Sequence, residues 1–195
     1  MWFGMVTLFP DMFRAVTGFG ITGRAVERGL VQVECWNPRD FTEDRHRTVD
    51  DAPYGGGPGM VLKAEPVLAA IRAARAAGPT GTKVVLMSPQ GTALTQSGLD
   101  DLASEPGLVL VSGRYEGIDE RVAQRAIDAE ISVGDFVVSG GELPAMLLVD
   151  GITRLVPGAV GDEDSVALDS FGAGLLDHPH FTRPELVEGM RVPEV

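Results

Sequence analysis

The sequence is poor in the residues that announce common functions. It holds one cysteine, Cys35, so an intrachain disulfide and any paired-cysteine metal pattern are excluded. A lone thiol suits a reducing compartment, and here it reads as a small buried hydrophobe in a strand. No apolar run nears the ~20 residues of a membrane span. The opening residues MWFGMVTLFPDMF lack the basic flank and cleavage site of a secretory signal. A cytoplasmic location with no membrane partner is therefore expected. No G-x-x-x-x-G-K-[ST] phosphate loop and no H-E-x-x-H zinc pattern occurs. Positive charge is scarce as well. Sixteen Lys+Arg against 28 Asp+Glu leave a formal charge of −12, which argues against a broad phosphate-binding face. That objection weakens locally, because Arg24, Arg28, Arg39, Arg45, His46 and Arg47 fall in the N-terminal third.

What is present is an ordinary soluble composition, 44% hydrophobic and 23% charged, long enough at 195 residues for one good-sized domain. Apolar runs at Trp2–Phe9, Val31–Trp36, Thr82–Met87, Leu108–Val111 and Phe136–Val138 read as strands. Helical patterns lie between them, at Glu65–Ala77, Thr95–Ala103, Ile118–Ala126 and Glu142–Val156. The first has Pro66 at its start and Gly78-Pro79 beyond its end. Strands alternating with helices imply an α/β domain with a largely parallel sheet, whose ligands sit beyond the carboxyl ends of the strands. After Pro157 the segment GAVGDEDSVALDSFGAG is small, polar and acidic and reads as a flexible linker.

Two glycine patterns need weighing. GFGITG (Gly18–Gly23) has the dinucleotide spacing, but about eight helical-looking residues separate it from the strand, so a helix–helix turn is the better reading. DAPYGGGPGM (Asp51–Met60) is either a slack linker or a loop whose backbone must approach a ligand closely. Three further glycine-bearing loops follow three successive expected strands: SPQG (Ser88–Gly91), SGRYEGIDE (Ser112–Glu120) and SVGDFVVSGGE (Ser132–Glu142). Together they suggest backbone lining one pocket. Glu116, Asp119, Glu120, Asp135 and Glu142 crowd them and would repel a phosphate. A cationic cofactor such as S-adenosylmethionine would suit that charge. The acids would equally serve as complements to helix dipoles.

The motifs LFPDMF, PYGGGPGM, SPQG, LTQ, GRYEGIDER, SVGDFVVSGGELPAM, RLVPG, DSF and HPHFTRPE occur in order from Met1 nearly to the last residue. In this the chain resembles the bacterial tRNA (guanine-37, N1)-methyltransferase family of knotted, S-adenosylmethionine-dependent SPOUT enzymes. The resemblance implies a parallel sheet flanked by helices, with a deep C-terminal trefoil knot, followed by a truncated helical domain. The expected division is a methyltransferase domain at 1–160, a flexible linker at 161–175 in which 165–174 is mobile without tRNA, and the start of a tRNA-gripping domain at 176–195. It implies methyl transfer from S-adenosylmethionine to N1 of guanine 37 of tRNA, in a homodimer. A cofactor-binding fragment that is inactive without the rest of the gripping domain is the alternative, and a nicotinamide enzyme using GFGITG a third reading. Carried over by motif, cofactor contacts fall on Pro89, Gly91, Gly113, Tyr115, Glu116, Gly117, Val133, Gly140, Gly141 and Pro144. The target nucleotides fall to His46, Asp50, Tyr54, Pro58 and Gly59. Asp169 matches the general base and Arg154 the residue that stabilises O6. No residue set announces a metal, although the family associates magnesium with its reaction.

Overall fold

A computed structural model describes residues 1–161, 169–171 and 174–193. Its centre is a five-stranded, all-parallel sheet. The strands are β1 (Trp2–Val6), β2 (Gln32–Trp36), β5 (Lys83–Ala93), β6 (Leu108–Ser112) and β7 (Ala129–Ser132), in the order β2-β1-β6-β5-β7. β1 and β6 are buried along their whole length, which explains why WFGMV and LVLVS read as unbroken apolar runs. Alternation sorts the side chains into two cores. Trp2, Val6, Val84, Leu86, Val109 and Val111 face helix α3 (Ala64–Ala77) and α5 (Glu120–Ala126). Phe3, Met5, Val85, Met87, Leu108 and Leu110 face α2 (Gly20–Glu27) and α6 (Glu142–Leu155). A short helix α1 (Arg14–Thr17) precedes α2, and α4 (Gln96–Ala103) packs on α6. Two two-residue strands, β3 (Asp50–Asp51) and β4 (Val61–Leu62), pair as an antiparallel ladder and bracket the glycine-rich loop.

The helices lie close to where their punctuation puts them. GFGITG is a helix–helix junction: Gly18 and Phe19 form the break, and Gly20–Gly23 open α2 with α1 standing before them. The last strand differs from expectation. Phe136–Val138 form no strand and lie on a loop, Phe136 and Val137 being exposed, while the sheet is completed by Ala129–Ser132. That strand pairs on one side only and holds an alanine, a glutamate and a serine, so its β signal is weak.

β5 carries an irregularity that shapes everything near it. Met87 and Thr92 both pair with Ile131, so Ser88–Gly91 bulge out between two contacts with the same residue of β7. A Cβ on Gly91 would lie 2.4 Å from the backbone of Glu130 and Ile131. Only glycine permits that approach.

The arginines of the N-terminal third do not form one patch. Arg24 lies on α2 and Arg28 caps its end; α2 covers one face of the sheet and leads into the start of β2. Arg39, Arg45 and Arg47 follow the end of β2, where Phe41 packs on the opposite core and Arg47 is paired with Asp40. Residues Asp162–Val195 form a second compact unit. Most of the expected linker falls outside its described residues. The regular structure described there is a hairpin, β8 (Leu186–Val187) and β9 (Met190–Arg191), rather than the start of a helix. Pro184 and Pro193 flank it, and Glu188 and Gly189 make the turn at positive φ. Among the described residues no helix is long and apolar enough to cross a membrane.

Cys35 is in a strand as expected but is exposed rather than buried, because β2 is an edge with one neighbour. Desolvation by the sheet side of its surroundings, and secondly the carboxylate of Asp11, push its thiol up to about 11. The thiolate is the nucleophile, so the exposed position alone should not make this cysteine reactive. Alkylation by iodoacetamide, followed by mass spectrometry of the folded protein, should be slow at pH 7–8 and accelerate only above about pH 10. Rapid labelling at pH 7 would contradict the raised thiol.

Candidate functional site

The carboxyl ends of β5, β6 and β7 open onto a single cleft of about 270 Å³. That is near the lower end of the ~300–1,000 Å³ typical of small-molecule sites. Its floor is apolar, from Met87, Ile131, Val133 and Pro144. One wall is the loop after β6 and the other is the loop between β7 and α6. Of the positions carried over for the cofactor, all but Gly91 line it. Gly91 instead makes the close crossing of β5 and β7.

The two walls meet through backbone and side chain. Gly141 N–H donates to Gly113 C=O (2.9 Å), and Arg114 and Gly140 form an isolated antiparallel bridge. Tyr115 sits at φ 61°, in the left-handed region that side chains seldom occupy. The turn around it is fixed by Gly117 N–H donating to Arg114 C=O and Glu116 N–H donating to Met60 C=O.

Beneath the walls lies a buried ion pair that the sequence reading missed. Arg114 Nε donates to Glu142 Oε2 at 2.9 Å, and the Glu142 side chain is fully buried. Glu142 Oε1 accepts from Thr7 Oγ1 (2.8 Å), which in turn accepts the N–H of Phe9. Arg114 Nη1 donates to Ser139 C=O, Nη2 reaches Met12 Sδ, and the guanidinium lies 4.5 Å from the centre of the Phe9 ring. This corrects the charge argument. Glu142 does not repel a ligand, since Arg114 neutralises it. Asp119 is likewise engaged, and the hydrogen bonds from Arg121 hold its carboxyl below the usual range. Glu116, Glu120 and Asp135 remain as exposed carboxylates. The available signal was an arginine in the middle of an acidic loop, which demands a partner.

The glycine-rich loop is joined to the same wall. Leu62 N–H donates to Gly117 C=O, and Asp119 N–H donates to Leu62 C=O. Gly59, at φ 78°, lies where a Cβ would overlap the Glu116 side chain. Tyr54 is fully exposed beside a second hollow of about 700 Å³ that includes Asp51, Lys63, Glu65 and Arg121. Pro58 is exposed, Asp50 pairs with Leu62, and His46 is exposed on a turn whose amide donates to Asp44. Arg154 is half-buried in the last turn of α6. Asp169 belongs to the second unit, is half-buried, and accepts the Ser170 N–H.

Among the described residues one trio has metal-ligand spacing: Asp177, His178 and His180. Its two imidazoles do not match the all-oxygen preference of magnesium. Its carboxylate is already shared between His178 Nδ1 and His180 Nε2 at 2.9 and 2.8 Å. Such a trio needs no ion to hold it, and no chemistry is routed through one.

Comparison with known proteins gives a consistent answer. The family described as tRNA (Guanine-1)-methyltransferase TrmD matches residues 1–195. A tRNA (guanine-N(1)-)-methyltransferase of Aeromonas hydrophila is 62% identical over 194 residues, covering 100% of this chain and 78% of the relative. Its counterpart in Escherichia coli is 60% identical over 195 residues, covering 100% and 76%. The crystal structure of a tRNA (m1G37) methyltransferase from Aquifex aeolicus superposes with a TM-score of 0.83 at 35% identity. That match covers 99% of this chain and 80% of the other.

The crossing at Gly91 sets a stability prediction. Gly91→Ala places a methyl against backbone that cannot yield, and should cost about 1–3 kcal/mol. Gly98→Ala, inside α4 with only ordinary contacts around its added Cβ, should be neutral or stabilising. Thermal unfolding followed by circular dichroism separates the two, and equal melting temperatures would remove the steric argument.

Proposed function

The chain belongs to the tRNA (guanine-1)-methyltransferase family, and from that membership we propose that it methylates N1 of guanine 37 of tRNA with S-adenosylmethionine held in the cleft at the ends of β5, β6 and β7. The observation that carries this reading is the glycine-lined cleft itself. A Cβ at Gly140 would strike Arg114 and one at Gly141 would strike the backbone of Ser112 and Gly113. Those two glycines let the walls pack on each other, and the backbone they leave on the cleft side can meet the edge of an adenine. The apolar floor suits its faces, and Glu116 offers a carboxylate to a cationic ligand. When bound, the cofactor supplies a methyl group carried on a sulfonium.

The remaining work belongs to the chain's own residues. N1 of guanine carries a proton at neutral pH, so Asp169 acts as the general base that removes it. Negative charge then builds on O6, and Arg154 offsets it. The glycine-rich loop at 53–60 presents the target base, with Tyr54 as a flat surface against it. His46 and Asp50 contact neighbouring nucleotides. These assignments rest on the motif positions LDSF, TRLVPG and PYGGGPGM and, for His46 and Asp50, on their place just upstream of the last. Support for the knotted topology is the double contact of β5 with Ile131 and the backbone crossing at Gly91. Support for a homodimer is the exposed pair Leu143 and Leu147, one turn apart on α6.

Gly113→Val is the cleanest probe of the cleft, because an added Cβ there meets only Ile118, at 3.4 Å, within the protein. Calorimetry should show its S-adenosylmethionine affinity falling at least about tenfold in a well-folded variant. Unchanged affinity would sink the cleft assignment.

A second prediction separates binding from chemistry. Asp169→Asn should lower methyl transfer to unmodified tRNA bearing guanine 37 by about 10²–10⁴-fold, with cofactor affinity retained. Arg154→Ala should act in the same direction. Transfer at the parental rate by Asp169→Asn would send the search for the base elsewhere, and transfer to a tRNA with adenine 37 would overturn the substrate.

A further inference from the structure

The cleft has two walls that come from distant parts of the chain, the loop 113–117 and the loop 133–141. Backbone joins them at one place, where Gly141 N–H donates to Gly113 C=O and Arg114 bridges Gly140. Side-chain contact between them is concentrated in Arg114. Its Nη1 reaches Ser139 C=O at 3.2 Å and Ser139 Oγ at 3.4 Å. Its Nε lies where a Cβ on Gly140 would be 2.2 Å away, so the far wall rests directly on the guanidinium. Glu142 fixes the fork from below, at the first residue of α6, and Thr7 fixes Glu142 from the end of β1. Three separate stretches are therefore referenced to one planar group: Thr7–Met12, the 113–117 loop that carries it, and Ser139–Glu142.

From this we infer that Arg114, oriented by Glu142, is a positioning residue that sets the separation of the cleft walls and so the affinity for S-adenosylmethionine. The inference rests on the reading that this cleft takes that cofactor. A guanidinium is needed because its donors diverge in one plane: Nε is used on the carboxylate while Nη1 is used on the far wall. A lysine can keep the charge pairing with Glu142 but cannot span both. A pair of apolar side chains can fill the same buried space without any hydrogen-bonding direction at all.

The test uses Arg114→Lys and the double variant Arg114→Leu/Glu142→Leu, with cofactor affinity by calorimetry, melting temperature, and KM and kcat for methyl transfer. In Arg114→Lys, KM for S-adenosylmethionine should rise about tenfold, kcat should fall much less, and the melting temperature should stay near the parent's. The double variant should melt close to the parent yet keep the weakened affinity, because it restores packing without direction. The inference is overturned if Arg114→Lys binds like the parent, or if the double variant recovers melting temperature and affinity together. Gly113→Val separates the layers of the argument. If it abolishes binding while Arg114→Lys does not, the positioning role alone fails. If neither variant alters binding, the cleft reading fails with it.

Discussion

A carboxylate with no solvent exposure must be paired, and in this protein the pairing of Glu142 with Arg114 ties the sheet to the site. An isolated charge buried there would be costly, by several kcal/mol, so the pair constrains where both side chains can be. Glu142 begins α6, whose Leu148, Val149 and Ile152 fill one core. Arg114 stands two residues beyond the end of β6, the central strand. The packing of a helix on a sheet is thereby converted into the placement of two loops. An apolar pair of similar volume would hold helix and sheet together equally well. What the ion pair adds is direction, since a guanidinium fork admits few arrangements.

Most of the sheet was legible because a parallel strand buried on both faces writes itself as an apolar run. Trp2–Val6 and Leu108–Ser112 are such strands, and the expected segments overlap them. The helices were legible from punctuation, as with Pro66 and Gly78 around α3. β7 was not, because an edge strand of four residues that includes Glu130 has half the burial and little pattern. Phe136–Val138 misled for the converse reason: an exposed apolar loop that rims a ligand cleft looks like a strand. Charge was the least readable property. Six basic residues close in sequence proved to sit at opposite ends of β2, and two of five acids in the glycine loops proved to be paired with arginines. The roles of Asp169 and Arg154 came entirely from resemblance, since nothing in an acidic segment or at a helix end distinguishes them.

The answer to the glycine-rich segment is local and mechanical. The loop is anchored at its C-terminal end. Met60 and Leu62 are hydrogen-bonded to Glu116, Gly117 and Asp119, the first two of which line the cleft at the ends of β5, β6 and β7. Any shift of that wall is felt by the segment that would carry the base, and the reverse holds as well. Gly59 makes the contact close by leaving room for the Glu116 side chain. The stretch 115–119 thus borders the cleft through its first three residues and the glycine loop through its hydrogen bonds to Met60 and Leu62.

The strand order carries a consequence for the order of synthesis. β1 is made before the other strands of its sheet, and its neighbour β2 follows about thirty residues later. Its other neighbour, β6, is not made until Ser112 has been added. Throughout that interval a wholly apolar strand has an open edge, a hazard for association with other nascent chains. β5 emerges before β6 and could dock wrongly on the open edge of β1, leaving the central place in the sheet filled by the wrong strand. The long apolar match of β1 to β6, Phe3 to Leu108 through Val6 to Val111, then has to win by displacement rather than by arriving early.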